Sequence, residues 1–378
     1  MLDSWLQEKL NERKSKQLLR RLTTTKGLID FTSNDYLGLA RSNELLRQIE
    51  KRVDSLESPR NGSGGSRLLS GNSEYAEHLE AKLANIFRSE TTLIFNSGYV
   101  ANLGVLSSIA TKDSTVIYDE LAHACIKDGA RLSNARRFSF RHNDINDLEA
   151  KIKRSDGRVF IAVESIYSMD GDQCPLNDVV WLAEKYNATI ILDEAHSTGV
   201  MGEKGSGLSI ASRLHEKIAI RIYTFGKAMG VHGACVAGSR SLNQYLVNYS
   251  RPFIYTTALP DHSLAAVECA FDFLEKNIYL QETLRDRVDT YITNIGEMSN
   301  RTDSKSSIQT VLVHGNEHAI RIAARLQENG LDVRPILSPT VKEGKERLRI
   351  CLHSFNSGEE IKALTEELKE TSSQHSRI

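Results

Sequence analysis

From Thr91 onward, short apolar runs alternate with stretches of helical spacing. The runs at 91–95, 115–118, 158–163, 189–192 and 218–225 are too short for buried helices and rich in β-branched residues, so they are predicted strands. Helices are predicted between them at 122–132 and, directly after Pro175, at 176–186. Such alternation predicts an α/β fold, a mostly parallel sheet flanked by helices. After about Pro260 the pattern changes. Helical stretches at 263–275 and 280–298 precede an apolar run at 308–313, a helix near 317–328 and an alternating run at 347–352, which together read as a smaller α+β domain. At the amino end Leu2, Leu6 and Leu10, then Leu18, Leu19 and Leu22, mark a charged, loosely amphipathic helical arm. The expected organisation is therefore an arm and linker segment over residues 1–50, a large domain over 51–262 and a small domain over 263–378, with 371–378 a frayed polar tail.

Composition removes several classes of function. With 48 Lys and Arg against 49 Asp and Glu, the chain has no global field to attract nucleic acid or an anionic membrane, so anionic ligands must be held locally. Cys125, Cys174, Cys235, Cys269 and Cys351 are scattered, odd in number and without paired metal spacing, which argues against a disulfide framework or a bound metal and for a reducing compartment. The amino terminus lacks an apolar signal core, and nowhere do about 18 apolar residues run together. A cytoplasmic protein is expected.

The chemistry concentrates at the ends of the predicted strands. Ile190-Ile191-Leu192-Asp193-Glu194-Ala195-His196 places a carboxylate at the carboxyl edge of a central strand, where open α/β sheets bind ligands, and Thr224-Phe225-Gly226-Lys227 brings a lysine to the end of a second strand. Pyridoxal phosphate needs both, a lysine for its aldehyde carbon and an acid that keeps its pyridine nitrogen protonated. Taken singly, Asp193 also reads as a helix cap or metal ligand, and Lys227 as a solvated surface residue. His196 is placed to hydrogen-bond the cofactor's phenolic oxygen, and His123, just past another strand, to stack on its ring; each is otherwise an ordinary structural histidine. Asn96-Ser97-Gly98-Tyr99 leaves a strand and enters a helix, a backbone cradle for phosphate. Ser168 lies in a further carboxyl-edge loop. The glycine-rich 61–67 segment matches neither nucleotide-binding pattern and reads as a turn or a wall that lets a substrate approach. Arg347 and Arg349 share one face of a strand, from which one arginine could clamp a substrate carboxylate; an exposed edge strand is the plainer reading.

Four strings occur in order over nearly the whole chain: Ser33-Asn34-Asp35-Tyr36-Leu37-Gly38-Leu39, the 62–71 segment beginning Gly62-Ser63-Gly64-Gly65-Ser66, Asp193-Glu194-Ala195-His196-Ser197-Thr198-Gly199 and Thr224-Phe225-Gly226-Lys227-Ala228. Together they resemble the α-oxoamine synthases, PLP-dependent transferases of fold type I (aspartate aminotransferase-like), which condense an amino acid with an acyl thioester and release carbon dioxide. The resemblance implies Lys227 as the cofactor-bound lysine, Asp193 as the partner of the pyridine nitrogen, His123 as the stacking residue that also meets substrate, and His196 near the phenolic oxygen. It implies cofactor contacts from Gly98, Tyr99, Ser168 and Thr224, and from Thr257 across a homodimer interface with a shared active site. It places Arg349 on the substrate carboxylate and Thr340 near the substrate. Arg20 is assigned to substrate too, with Arg21 and Arg13 as alternatives because the stretch before Phe31 is short. The forms of the first two strings favour the member that joins L-alanine to a pimeloyl thioester, carried by coenzyme A or an acyl carrier protein. The alternatives are glycine acetylation and a non-catalytic subunit of the same fold. Lys14, Lys16, Arg20 and Arg21 are basic enough to attract either carrier or to form a solvated face. His232 stands where the family commonly has smaller residues.

Overall fold

The computed structural model describes residues 1–16, 18–24 and 27–373; the last five residues of the expected tail lie outside that set. The chain forms two compact units. The larger comprises Asn34–Ser168 and Asp172–Thr283, and the smaller Met1–Ser33, Met169–Gly171 and the chain from Leu284 onward.

The larger unit is built on seven strands: β1 (Thr91–Phe95), β2 (Ser114–Asp119), β3 (Arg136–Phe140), β4 (Arg158–Glu164), β5 (Thr189–Asp193), β6 (Ile220–Thr224) and β7 (Ala234–Gly238). Their order across the sheet is β1-β7-β6-β5-β4-β2-β3. The pairings from β6 through β3 are parallel, whereas β7 runs antiparallel to both β1 and β6. Five strands stand where the apolar runs predict them. β3 and β7 do not appear in that pattern. Arg136-Arg137-Phe138-Ser139-Phe140 is mostly polar because it closes the sheet edge, and Ala234-Cys235-Val236-Ala237-Gly238 is too small-chained to stand out.

Residue parity along the strands separates two cores. Phe160, Ala162, Ile191 and Ile222 join Val105, Leu106 and Ile126 from helices Gly98–Ile109 and Ala124–Leu132 on one face. On the other, Ile161, Val163, Ile190 and Leu192 join Leu148, Val179, Val180 and Ala183 from helices Ile145–Lys153 and Leu176–Tyr186. Burial on both faces explains why these strands are continuously apolar rather than alternating.

In the smaller unit a three-stranded antiparallel sheet has the order β9-β10-β8, where β8 is Ile308–Leu312, β9 Arg334–Ile336 and β10 Arg347–Cys351. Leu348 and Ile350 pack with Val311, Ile322, Leu326, Ile361 and Leu364 in its core. The arginine strand is thus central, not an edge, and Arg347 is buried in an ion pair with Asp170. The amino-terminal helix Leu2–Ser15 has no buried residue, with Trp5, Leu6 and Leu10 exposed.

Candidate active site

The carboxyl ends of the parallel strands deliver the site. β2 ends in Asp119 ahead of His123, β4 in Glu164, β5 in Asp193 and β6 in Thr224 ahead of Lys227, while β1 runs into Ser97 and Gly98. Ser97, Gly98, Tyr99, His123, Glu164, Asp193, Thr224 and Lys227 line one cavity of about 230 Å³ in the larger unit, together with Cys125, Ala195, Gly226, His232 and Gly233.

Asp193 is 5% exposed. Asn102 Nδ2 donates to its Oδ2 at 2.7 Å and the Ala195 amide to its Oδ1 at 2.8 Å. A carboxylate has about four acceptor positions, so these bonds orient Asp193 and leave capacity for a cationic ring nitrogen. Asn102 itself is held by donating to the Gly98 carbonyl at 3.0 Å, which links the acid to the helix start.

Lys227 Nζ lies 2.8 Å from His196 Nε2, and His196 Nδ1 lies 2.7 Å from the Tyr36 hydroxyl, which donates to Asn34 Oδ1 at 3.0 Å. A phenol has a single hydrogen, so the consistent assignment puts a proton on Nδ1 donating to Tyr36, and Nε2 accepts from the lysine. His196 therefore aims the lysine amine and is itself oriented by Tyr36.

His123 caps helix Ala124–Leu132, its Nδ1 accepting from the Cys125 amide at 3.2 Å, and its own amide donates to Glu164 Oε1 at 2.6 Å. Burial, assisted by Lys227 and against the pull of Asp193, lowers its pKa below the ordinary histidine value. The ring is accordingly neutral near pH 7, as suits a flat face against an aromatic ligand. The Tyr99 ring stands edge-on to it, with centroids 6.2 Å apart.

Helix Gly98–Ile109 begins at Ser97, whose hydroxyl accepts from the Val100 amide at 3.3 Å. The amides ahead of it, at Gly98 and Tyr99, carry the positive end of the helix. A Cβ on Gly98 would stand 2.4 Å from Thr224 Cγ2, so only glycine lets this turn close against β6. An aimed amine, an oriented carboxylate, a neutral flat ring and an open helix start fit pyridoxal phosphate.

The expected residues outside the cavity lining fall elsewhere. Ser168 is buried beyond β4 in the same unit. Thr257 is exposed, its carbonyl accepting from Asn96 at 3.1 Å. Arg20, Thr340 and Arg349 belong to the smaller unit, where Arg20 Nη2 is 3.4 Å from Thr340 Oγ1 and Arg349 Nη1 is 3.0 Å from Cys351 Sγ. The glycine-rich segment serves its own chain: Ser63 Oγ donates to the Ala258 carbonyl at 2.9 Å, and a Cβ on Gly71 would stand 2.3 Å from the Gly65 carbonyl oxygen. Sequence reasoning overlooked Tyr36, Asn102 and Glu164. Glu164 carried the signal that identified Asp193, an acid closing an apolar strand; Asn102, a lone amide in an apolar helix, carried a weaker one.

Residues 26–368 match the model of the family described as aminotransferase class I and II. An 8-amino-7-oxononanoate synthase of Emericella nidulans is 38% identical, over 96% of this chain and 93% of that protein. Among solved structures, an 8-amino-7-oxononanoate synthase from Francisella tularensis superposes with a TM-score of 0.79 at 27% identity, covering 93% of this chain and 99% of the other. A serine palmitoyltransferase from S. paucimobilis, solved with PLP and myriocin bound, superposes with a TM-score of 0.87 at 25% identity over 99% of this chain and 98% of its own.

Proposed function

Because the chain belongs to the aminotransferase class I and II family, of fold type I and dependent on pyridoxal phosphate, we propose that it condenses L-alanine with a pimeloyl thioester, with loss of carbon dioxide, to give 8-amino-7-oxononanoate for biotin biosynthesis. The observation that carries this reading is the convergence of Lys227, Asp193 and His123 on one cavity, with His196 aiming the lysine.

Pyridoxal phosphate, when bound, supplies an electron sink for the carbanion formed on the amino acid. Lys227 is the residue it would bond. The Lys227 amine is placed to take the α-proton of the amino acid and to return one to the same carbon. His196 and Tyr36 hold the amine in line, so the proton moves at a fixed position. Asp193 keeps positive charge on the ring nitrogen, and Asn102 and the Ala195 amide prevent its carboxylate from turning away. His123 covers the ring face and excludes water. The Gly98 and Tyr99 amides with Thr224 receive the phosphate, with Ser168 completing the contacts and Thr257 serving the site of a second copy in a homodimer. Arg349 takes the substrate carboxylate, and Arg20 and Thr340 hold the rest of the substrate.

The test supplies the loaded enzyme with L-alanine, glycine or L-serine, each with pimeloyl-CoA or a pimeloyl carrier protein, and identifies products by mass. The nine-carbon skeleton of pimelate plus alanine less carbon dioxide is the expected amino-ketone backbone. A product from glycine alone would move the substrate, and no product from any pair at full cofactor loading would reject the condensation.

A further inference from the structure

Glu164 has no part in the chemistry above, yet it lines the same cavity and is 2% exposed. On adjacent parallel strands Glu164 is the register partner of Asp193. Neighbouring strands are about 4.8 Å apart, so two carboxyl groups leave the same sheet edge side by side. Two acids so placed disfavour each other's ionisation and raise the pKa of one of them. Asp193 is supplied with two donors, the Asn102 amide and the Ala195 N–H, whereas Glu164 receives the His123 N–H.

We propose that Glu164 is a positioning residue that holds a proton while the cofactor is absent, tethers His123 through its backbone amide, and releases that proton to solvent when a cationic ring nitrogen arrives beside Asp193. The inference rests on the reading of this cavity as the cofactor site. The groups facing Glu164 are Asp193 on β5, Asp119 at the end of β2, Lys227 beyond β6, and His123 and Cys125 at the helix start. Burial first, then Asp193, pushes the Glu164 pKa up to about 8. Lys227 and the His123 amide oppose this and Asp119 adds to it. A cation at Asp193 cancels much of the second contribution and so lowers the Glu164 pKa on binding.

The sign follows by linkage. A ligand that lowers a group's pKa binds the deprotonated form better, so affinity rises with pH from the bound-state pKa up to about 8, the cofactor-free value, and is flat in this component above it. One proton contributes at most about a tenfold change per pH unit.

The experiment strips the full-length chain of cofactor and titrates it with pyridoxal phosphate across this range, comparing wild type, E164Q and E164D. Gln retains an acceptor for the His123 amide and cannot titrate. Wild type should gain affinity with pH more steeply than E164Q, by up to the tenfold per unit above, and E164D should restore the steeper dependence. Equal slopes in wild type and E164Q overturn the proposal. Should E164Q not fold, infrared difference spectra of wild type decide: a protonated-carboxyl band at neutral pH that disappears on cofactor binding supports it, and absence of that band overturns it. Failure of wild type to bind the cofactor at all would instead refute the assignment of the cavity.

Discussion

At the residue scale, three polar groups of the site are oriented by hydrogen-bonding neighbours. Asn102 turns Asp193, Tyr36 turns His196 and His196 turns Lys227. K227A should lower turnover at least about 10²–10⁴-fold, the usual worth of a positioned acid–base group, and leave no covalently held cofactor after borohydride reduction. D193N should bind cofactor yet lose a comparable factor in kcat, since a neutral amide cannot hold a positive ring nitrogen; steady-state kinetics with the cofactor-loaded variant read this directly, and undiminished kcat would remove Asp193 from its role. Y36F tests the relay at one remove: a roughly tenfold fall in kcat with KM little changed is expected from losing one orienting hydrogen bond of about 1.4 kcal/mol.

At the scale of elements, two contacts determine whether the frame closes. The helix start at Gly98 and the end of β6 at Thr224 meet so closely that a methyl group on Gly98 displaces one of them. G98A should cost about 1–3 kcal/mol of stability and weaken cofactor binding, and G98A combined with T224S, which removes the obstructing Cγ2, should recover part of both in chemical unfolding and cofactor titration. In the smaller unit, Arg347 of the central strand β10 pairs with buried Asp170. R347A leaves that carboxylate without its cation, and a loss of about 3–5 kcal/mol is expected from urea unfolding; an unchanged midpoint would show that the pair contributes nothing net.

At the scale of the molecule, the larger unit joins its carboxyl-edge loops with a charge of its own. His142 lies 2.9 Å from Asp119 and 2.6 Å from Asp172, with Asn143 donating to Asp172 at 2.7 Å. Burial alone would depress His142, but the hydrogen bonds and charges of the two carboxylates outweigh it and push its pKa up to about 10 from the ordinary 6.5. The folded state thus binds this proton more tightly than the unfolded chain. Its contribution is fully present below pH 6.5 and is lost as pH rises through about 10. Thermal unfolding of wild type should therefore weaken between these limits relative to H142N, which has no such titration; parallel profiles would contradict the assignment. Among the described residues no helix is long and apolar enough to cross a membrane.

Most of the sheet was legible in the chain because local apolar runs report burial on both faces. Strands β1, β2, β4, β5 and β6 and helix Leu176–Tyr186 follow the hydrophobic pattern to within a residue or two. That Lys227, Asp193 and His123 would meet at one sheet edge, with His196 beside them, was legible because each closes or follows such a run, and the order of four motifs already pointed to the family. β7 escaped notice because Ala, Cys and Gly leave no strong pattern, and β3 because an edge strand keeps polar residues. The tertiary structure alone decided that Asn102 meets an acid 91 positions away, that Tyr36 meets a histidine 160 away, and that Glu164 stands beside Asp193. The physical reason is range. Periodicity and capping act over a few residues, whereas these meetings depend on which strands become neighbours and in what register, a choice made by packing of the whole sheet.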